Sequence, residues 1–120
     1  MASDPPISVM IFTLNEEIHL PFVMESLRWC TDLIVVDSFS TDRTEAICRR
    51  AGVRFYQNRF EGFGAQRNWA LENIDMQNNW VLLLDADERV PPALAEELID
   101  IARSNPPDVG AYRVKRRFYM

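Results

Sequence analysis

Leu33-Ile-Val-Val-Asp37, followed by Ser38-Phe-Ser-Thr-Asp42, is the stretch on which the fold turns. Four apolar residues in a row, three of them β-branched, fit a strand buried on both faces, and such strands belong to parallel sheets covered by helices. The run stops at a carboxylate, Asp37, and passes into a polar turn. A helix is expected from about Asp42, with Glu45 three residues on as its capping partner and Gly52 as its stop.

The same grammar repeats in both directions. Upstream, Ile7-Ser-Val-Met-Ile-Phe-Thr13 reads as a strand and Leu14-Asn15-Glu16-Glu17 as a polar turn. Pro21 then suits the first turn of a helix whose Leu20, Val23, Met24 and Leu27 share one face. Downstream, Val53 to Gln57 is a third strand, Asn58 to Gly64 a loop and Ala65 to about Ile74 a helix. Trp80-Val-Leu-Leu-Leu-Asp85 is a fourth strand, and Pro91 opens a helix to about Ser104. Gly110 to Met120 reads as a fifth strand carrying Lys115-Arg116-Arg117. Alternating strand and helix predicts an α/β, Rossmann-like fold: a mainly parallel sheet with right-handed crossovers and helices on both faces. The last strand has no turn or helix after it, so residues 1–120 are expected to be the N-terminal part of a domain that is cut off.

Composition narrows the function. The chain has 120 residues, a net charge of −5, 48% hydrophobic and 26% charged residues, which suits one core. An acidic balance argues against nucleic acid as a partner. No apolar run approaches the roughly 20 residues of a membrane span, and the N-terminus lacks the pattern of a signal peptide, so the cytoplasm is the expected compartment. Cys30 and Cys48 have no second pair to build a zinc ribbon, and both are expected as small thiols on helices. His19, the single histidine, is expected in a loop. Any chemistry therefore falls to carboxylates.

In open parallel sheets ligands bind beyond the carboxyl ends of the strands. Those ends are polar here: Thr13, Asn15 and Glu16; Asp37 and Ser38; Gln57 and Asn58; Asp85 and Asp87. In extended backbone Asp85 and Asp87 would point the same way, a pair suited to Mg²⁺ or Mn²⁺. A divalent cation would offset the repulsion between an acidic protein and an anionic diphosphate, and would steady that diphosphate as it departs. Gln66-Arg67-Asn68 begins a helix behind two glycines, where the helix N-terminus and the forked Arg67 favour an anion. Trp69 and Trp80 are expected in the core.

Together these segments resemble the family 2 glycosyltransferases, which have a GT-A fold. The resemblance rests on Ile7 to Glu17, on Leu33 to Thr44, on Gln66-Arg-Asn-Trp-Ala-Leu71 and on Val81-Leu-Leu-Leu-Asp-Ala-Asp-Glu-Arg-Val90. The wording is most similar to a bacterial branch that builds lipopolysaccharide core or other envelope glycans. The resemblance implies transfer of a sugar from a nucleotide diphosphate sugar, UDP-sugar favoured, to a hydroxyl of a glycan or glycolipid, with inversion. It implies that Thr13 lines the base with Asn15 and Glu16 beside it, that Asp37 lies at base and ribose, and that Arg67 and Asn68 close over the nucleotide. It further implies that Asp85 faces ribose or sugar and shares the metal with Asp87. Ser38 stands where many members have an Asp that reads uracil, and Phe39 where a Gly is usual. The catalytic base is expected beyond Met120.

Two other readings stay open at this point. Asp85-Ala-Asp87 after an apolar strand is also similar to the nucleophile loop of haloacid-dehalogenase-like phosphatases, although Arg89 holds the place of their Thr or Val. A non-catalytic nucleotide-binding or self-associating module is the other. On either the transferase or the module reading, the unpaired edge of the final strand is a candidate homodimer contact, and its basic residues are a candidate peripheral contact with anionic lipid or glycan at the inner face of the membrane.

Overall fold

The computed structural model describes residues 5–104. In chain order these form β1 (Ile7–Thr13), α1 (Leu20–Ser26), β2 (Asp32–Asp37), α2 (Thr44–Ala51), β3 (Arg54–Gln57), α3 (Phe63–Asn73), β4 (Trp80–Asp85) and α4 (Pro92–Ser104). The four strands pair in parallel in the order β3-β2-β1-β4. The chain steps outward from β1 to β3 and then crosses back to place β4 on the other side of β1. Right-handed crossovers that reverse direction put their helices on opposite faces. Accordingly α1, α2 and α4 pack on one face through Leu20, Val23, Leu27, Cys48, Ala95 and Ala102, against Val9, Ile11, Val35 and Leu84. Helix α3 packs on the other face through Ala70 and Ile74, against Met10, Ile34 and Val36. The strand alternation thus divides one sheet between two apolar layers, with Trp80 and Trp69 packed against them as expected.

Several local expectations are corrected. Helix α2 starts at Thr44, and Asp42 rather than Glu45 serves its first turn: Asp42 accepts the Thr44 N–H at 2.9 Å, while Glu45 pairs with Arg49 one turn on. Helix α3 begins earlier than predicted, at Phe63, because Gly62 takes φ 122° and turns the chain into it. Cys48 is buried in α2, but Cys30 lies beyond α1 and outside any helix, its Sγ 3.7 Å from the Ile7 carbonyl. The expected fifth strand, and the membrane and dimer contacts that depended on it, lie outside the described residues. Among the described residues no helix is long and apolar enough to cross a membrane.

The amino edge of the sheet is fixed by a buried ion pair that sequence patterning missed. Asp32, 1% exposed, accepts from Ser8 Oγ at 2.6 Å, the Gln77 N–H at 3.0 Å and Arg54 at 2.9 Å. Burial pushes its carboxyl pKa up, but these donors outweigh burial and hold it below the ordinary range. The carboxyl edge is left to carry function.

Candidate functional site

At the carboxyl edge, the register sets Thr13 beside Asp37 and Phe12 beside Asp85. Strand β1 is therefore flanked by the two acidic strand ends, at the point where the strand order reverses, which is where open α/β sheets bind ligands. A cavity of about 460 Å³ opens there, lined by Phe12, Thr13, Leu14, Glu16, Ser38, Phe60, Phe63, Gln66, Arg67, Asp85 and Asp87. Six residues expected from sequence share this one space: Thr13, Glu16, Ser38, Arg67, Asp85 and Asp87.

Three others do not line it. Asp37 is fully buried and already bonded, accepting from Thr13 Oγ1 at 2.7 Å, the Ser40 N–H at 2.8 Å, the Ser40 hydroxyl and Gln57 Nε2 at 3.2 Å. Its carboxylate organises the loop behind the cavity. Asn15 adopts φ 53°, a left-handed conformation asparagine tolerates, and its Oδ1 accepts the Thr41 N–H at 2.8 Å. In the same clamp the Asn15 N–H donates to Ser40 Oγ and the Glu16 N–H to Thr44 Oγ1. Asn68 is exposed on α3, outside the lining.

The acidic motif is built differently from the extended pair expected. Strand β4 ends at Asp85, and residues 86–87 form a turn closed by the Glu88 N–H donating to the Asp85 carbonyl at 3.0 Å. Within the turn Ala86 faces the core while Asp87 is exposed and lines the cavity. Glu88, which is buried, folds back to accept the Asp85 N–H at 2.7 Å. Arg67 stands 3.8 Å from Asp85 Oδ1 and lies over the Phe12 ring. Glu16 has a raised carboxyl pKa: burial is the main cause, His19 counters it, and the charges of Asp87 and Asp85 add to it.

The donor set is all oxygen, the preference of a hard divalent cation. Among the described residues no group of three or more His, Cys, Asp or Glu could hold an ion alone. Two carboxylates fit a cation whose remaining ligands come from a bound diphosphate, which is the usual manner of Mg²⁺ in phosphate sites. Sequence reasoning missed Phe12, Leu14, Phe60 and Phe63 in the lining. The last two form an edge-to-face pair at 5.2 Å, and their only signal in the sequence was an aromatic on either side of Glu61-Gly62.

The sequence profile of "Glycosyl transferase family 2" matches residues 8–120. The lipopolysaccharide core biosynthesis glycosyltransferase LpsC of Rhizobium meliloti is 38% identical, over 96% of this chain and 43% of its own length. An uncharacterized glycosyltransferase of Rickettsia conorii is 37% identical, over 91% of this chain and 39% of its own. The chain thus spans less than half the length of these curated relatives. Among solved structures, TarS of S. aureus superposes with TM-score 0.63 at 24% identity, over 82% of this chain and 32% of TarS. Glucosyl-3-phosphoglycerate synthase of Mycobacterium tuberculosis, solved with Mn²⁺, UDP and glucosyl-3-phosphoglycerate, gives 0.58 at 29%, over 68% of this chain and 33% of its own. These likenesses establish a GT-A fold and set aside the phosphatase reading. With its motifs gathered around one cavity and its profile match running from β1 to the last residue, the chain belongs to glycosyl transferase family 2.

Proposed function

We propose that this chain forms the donor half of a glycosyltransferase that moves a sugar from a nucleotide diphosphate sugar, UDP-sugar favoured, to a hydroxyl of an envelope glycan or glycolipid, with inversion. One observation carries the reading: the cavity at the switch point gathers Arg67, Asp85 and Asp87 on the β4 side and Ser38 and Thr13 on the β2 side. Strands β2 and β4 lie two strand spacings apart, roughly 10 Å. That span suits a nucleoside diphosphate, with its base towards Ser38 and its phosphates towards Asp87. The name of the Rhizobium relative supports the acceptor class, and the Mn²⁺ and UDP of the mycobacterial structure support cation and nucleotide.

Asp85 and Asp87 would hold Mg²⁺ or Mn²⁺, which when bound neutralises the diphosphate and stabilises it as leaving group. Arg67 adds a forked donor to the same charge, beside walls that Phe12, Phe60 and Phe63 make apolar. No described residue is assigned as the base that takes the acceptor proton. Glu88 is unsuited, being buried and bonded to the Asp85 N–H.

Calorimetric titration with UDP, GDP and dTDP, with and without Mn²⁺, tests the reading. UDP binding that the cation strengthens is expected, with that gain disappearing in Asp87→Ala. A folded chain that binds none of the three would overturn it in favour of a non-catalytic, self-associating module.

A further inference from the structure

Gln66 is 3% exposed at the start of α3, yet it borders the cavity and its side chain is fully committed. Its Nε2 donates to the Asn58 backbone carbonyl at 3.3 Å and to Ser38 Oγ at 3.1 Å, while its Oε1 accepts from Asn58 Nδ2 at 2.8 Å. A backbone carbonyl can only accept, so the amide nitrogen of Gln66 must be the atom that faces it. Asn58 is oriented by the same logic, since its Nδ2 also donates to the Arg59 carbonyl at 3.3 Å. Two backbone carbonyls therefore set the polarity of both amides. The Ser38 hydroxyl must then accept from Gln66, and among the described residues its own proton has no acceptor. Ser38 is held in place by its N–H, which donates to the Thr13 carbonyl at 2.9 Å, and it lines the cavity.

We propose that Gln66 is a specificity-determining positioning residue: through the Asn58–Gln66–Ser38 relay it fills one lone pair of the Ser38 hydroxyl and turns its proton towards the nucleotide base, favouring Ser38 as a donor there. This rests on the donor-site reading above and deepens it. A hydroxyl biased towards donation favours a base edge that carries a carbonyl over one that carries an amino group, so uracil is preferred to cytosine. The two differ at that edge in this respect, a carbonyl acceptor against an amino donor. One such hydrogen bond corresponds to a preference of about 3–10-fold.

The test compares UDP with CDP, each with Mn²⁺, by calorimetry on the wild type, Ser38→Ala, Gln66→Met and the double variant, with thermal unfolding to confirm that each is folded. Wild type is expected to prefer UDP by about 3–10-fold. Each single substitution should bring the ratio close to one, and the double variant should lose no more than either single. Should Gln66→Met fail to fold, Asn58→Ala removes one anchor of the amide and should lower the same ratio. A Gln66 or Asn58 variant that weakens UDP and CDP alike, with the ratio kept, overturns the relay and leaves the donor site standing. Equal affinity of wild type for the two nucleotides also overturns it. Absence of binding to either by the folded wild type overturns the donor site, and the relay with it.

Discussion

Arg67 Nη2 stands 3.8 Å from Asp85 Oδ1, each side chain about one-third exposed, so the cation and one anion of the site face each other across the same cavity wall. At that distance and exposure the pair is a weak, solvent-screened contact rather than a structural bridge. Arg67 is therefore available to a stronger anion, and a diphosphate is one.

This pairing gives Asp85 opposite effects in the two states of the donor site. Without a divalent cation, Asp85→Asn removes a charge that repels the diphosphate and competes for Arg67, so UDP should bind more tightly than to wild type. With Mn²⁺ the same substitution removes a ligand, and affinity should fall by about tenfold or more. Arg67→Met should weaken UDP in both conditions, by about 10-fold for a lost charge-assisted hydrogen bond. Calorimetry of both variants with and without the cation checks this, and a loss of the same size for Asp85→Asn in both conditions would count against the arrangement.

Asp37 is predicted to act on stability first. Its buried carboxylate collects the Thr13 hydroxyl, both donors of Ser40 and the Gln57 amide. Asp37→Ala would orphan these donors and leave a void at the β1–β2 junction, a loss of roughly 2–4 kcal/mol. Urea unfolding should show a reduced midpoint without a change in slope. An unchanged midpoint, with nucleotide affinity alone reduced, would mean that Asp37 serves the ligand directly.

Acid sensitivity should be traceable to Asp32. Its folded-state pKa lies below the unfolded value because Ser8, Gln77 and Arg54 together outweigh the opposing effect of burial. A depressed carboxyl contributes stability that is fully present above its unfolded pKa, about 3.9, and is lost as pH falls through the folded value. Wild type should therefore lose this contribution as pH drops below about 4. Asp32→Asn should be less stable at neutral pH but show a shallower decline on acidification. Thermal unfolding from pH 7 to pH 3 measures both slopes, and parallel curves would sink the assignment.

Most of the architecture was legible because it rests on pattern. Apolar runs such as Ile7–Thr13 and Trp80–Asp85 can be satisfied only inside a sheet covered on both faces, and the order of elements limits how that sheet is wound. The cavity was legible in outline for a related reason: polar residues at strand ends mark the edge at which a parallel sheet binds. What escaped was whatever depends on side-chain direction. A two-residue alternation makes Asp85 and Asp87 neighbours in a strand, yet the chain turns at Ala86 and reaches the same cavity by another route. Asp37 and Asn15 sit among the expected ligands in sequence, but their polar atoms are occupied by Ser40, Gln57 and Thr41. The Asp32–Arg54 pair joins two strand starts 22 residues apart, which no local pattern encodes.

Phe39 supplies the last prediction. It adopts φ 60° in the loop after β2 and is 56% exposed, so the loop has the left-handed turn that glycine would favour without glycine itself. For a bulky side chain this conformation costs roughly 1–2 kcal/mol, and little packing offsets it at such exposure. Phe39→Gly relieves that strain and adds roughly 0.5–1 kcal/mol of chain entropy to the unfolded state, leaving a net gain of several tenths of a kcal/mol to about 1. Phe39→Val retains the strain and adds β-branching, so it should destabilise. Both are read as shifts in Tm, upward for glycine and downward for valine. A decrease for both would show that the exposed ring makes a contact within the chain worth more than the strain it imposes, and would overturn the strain assignment.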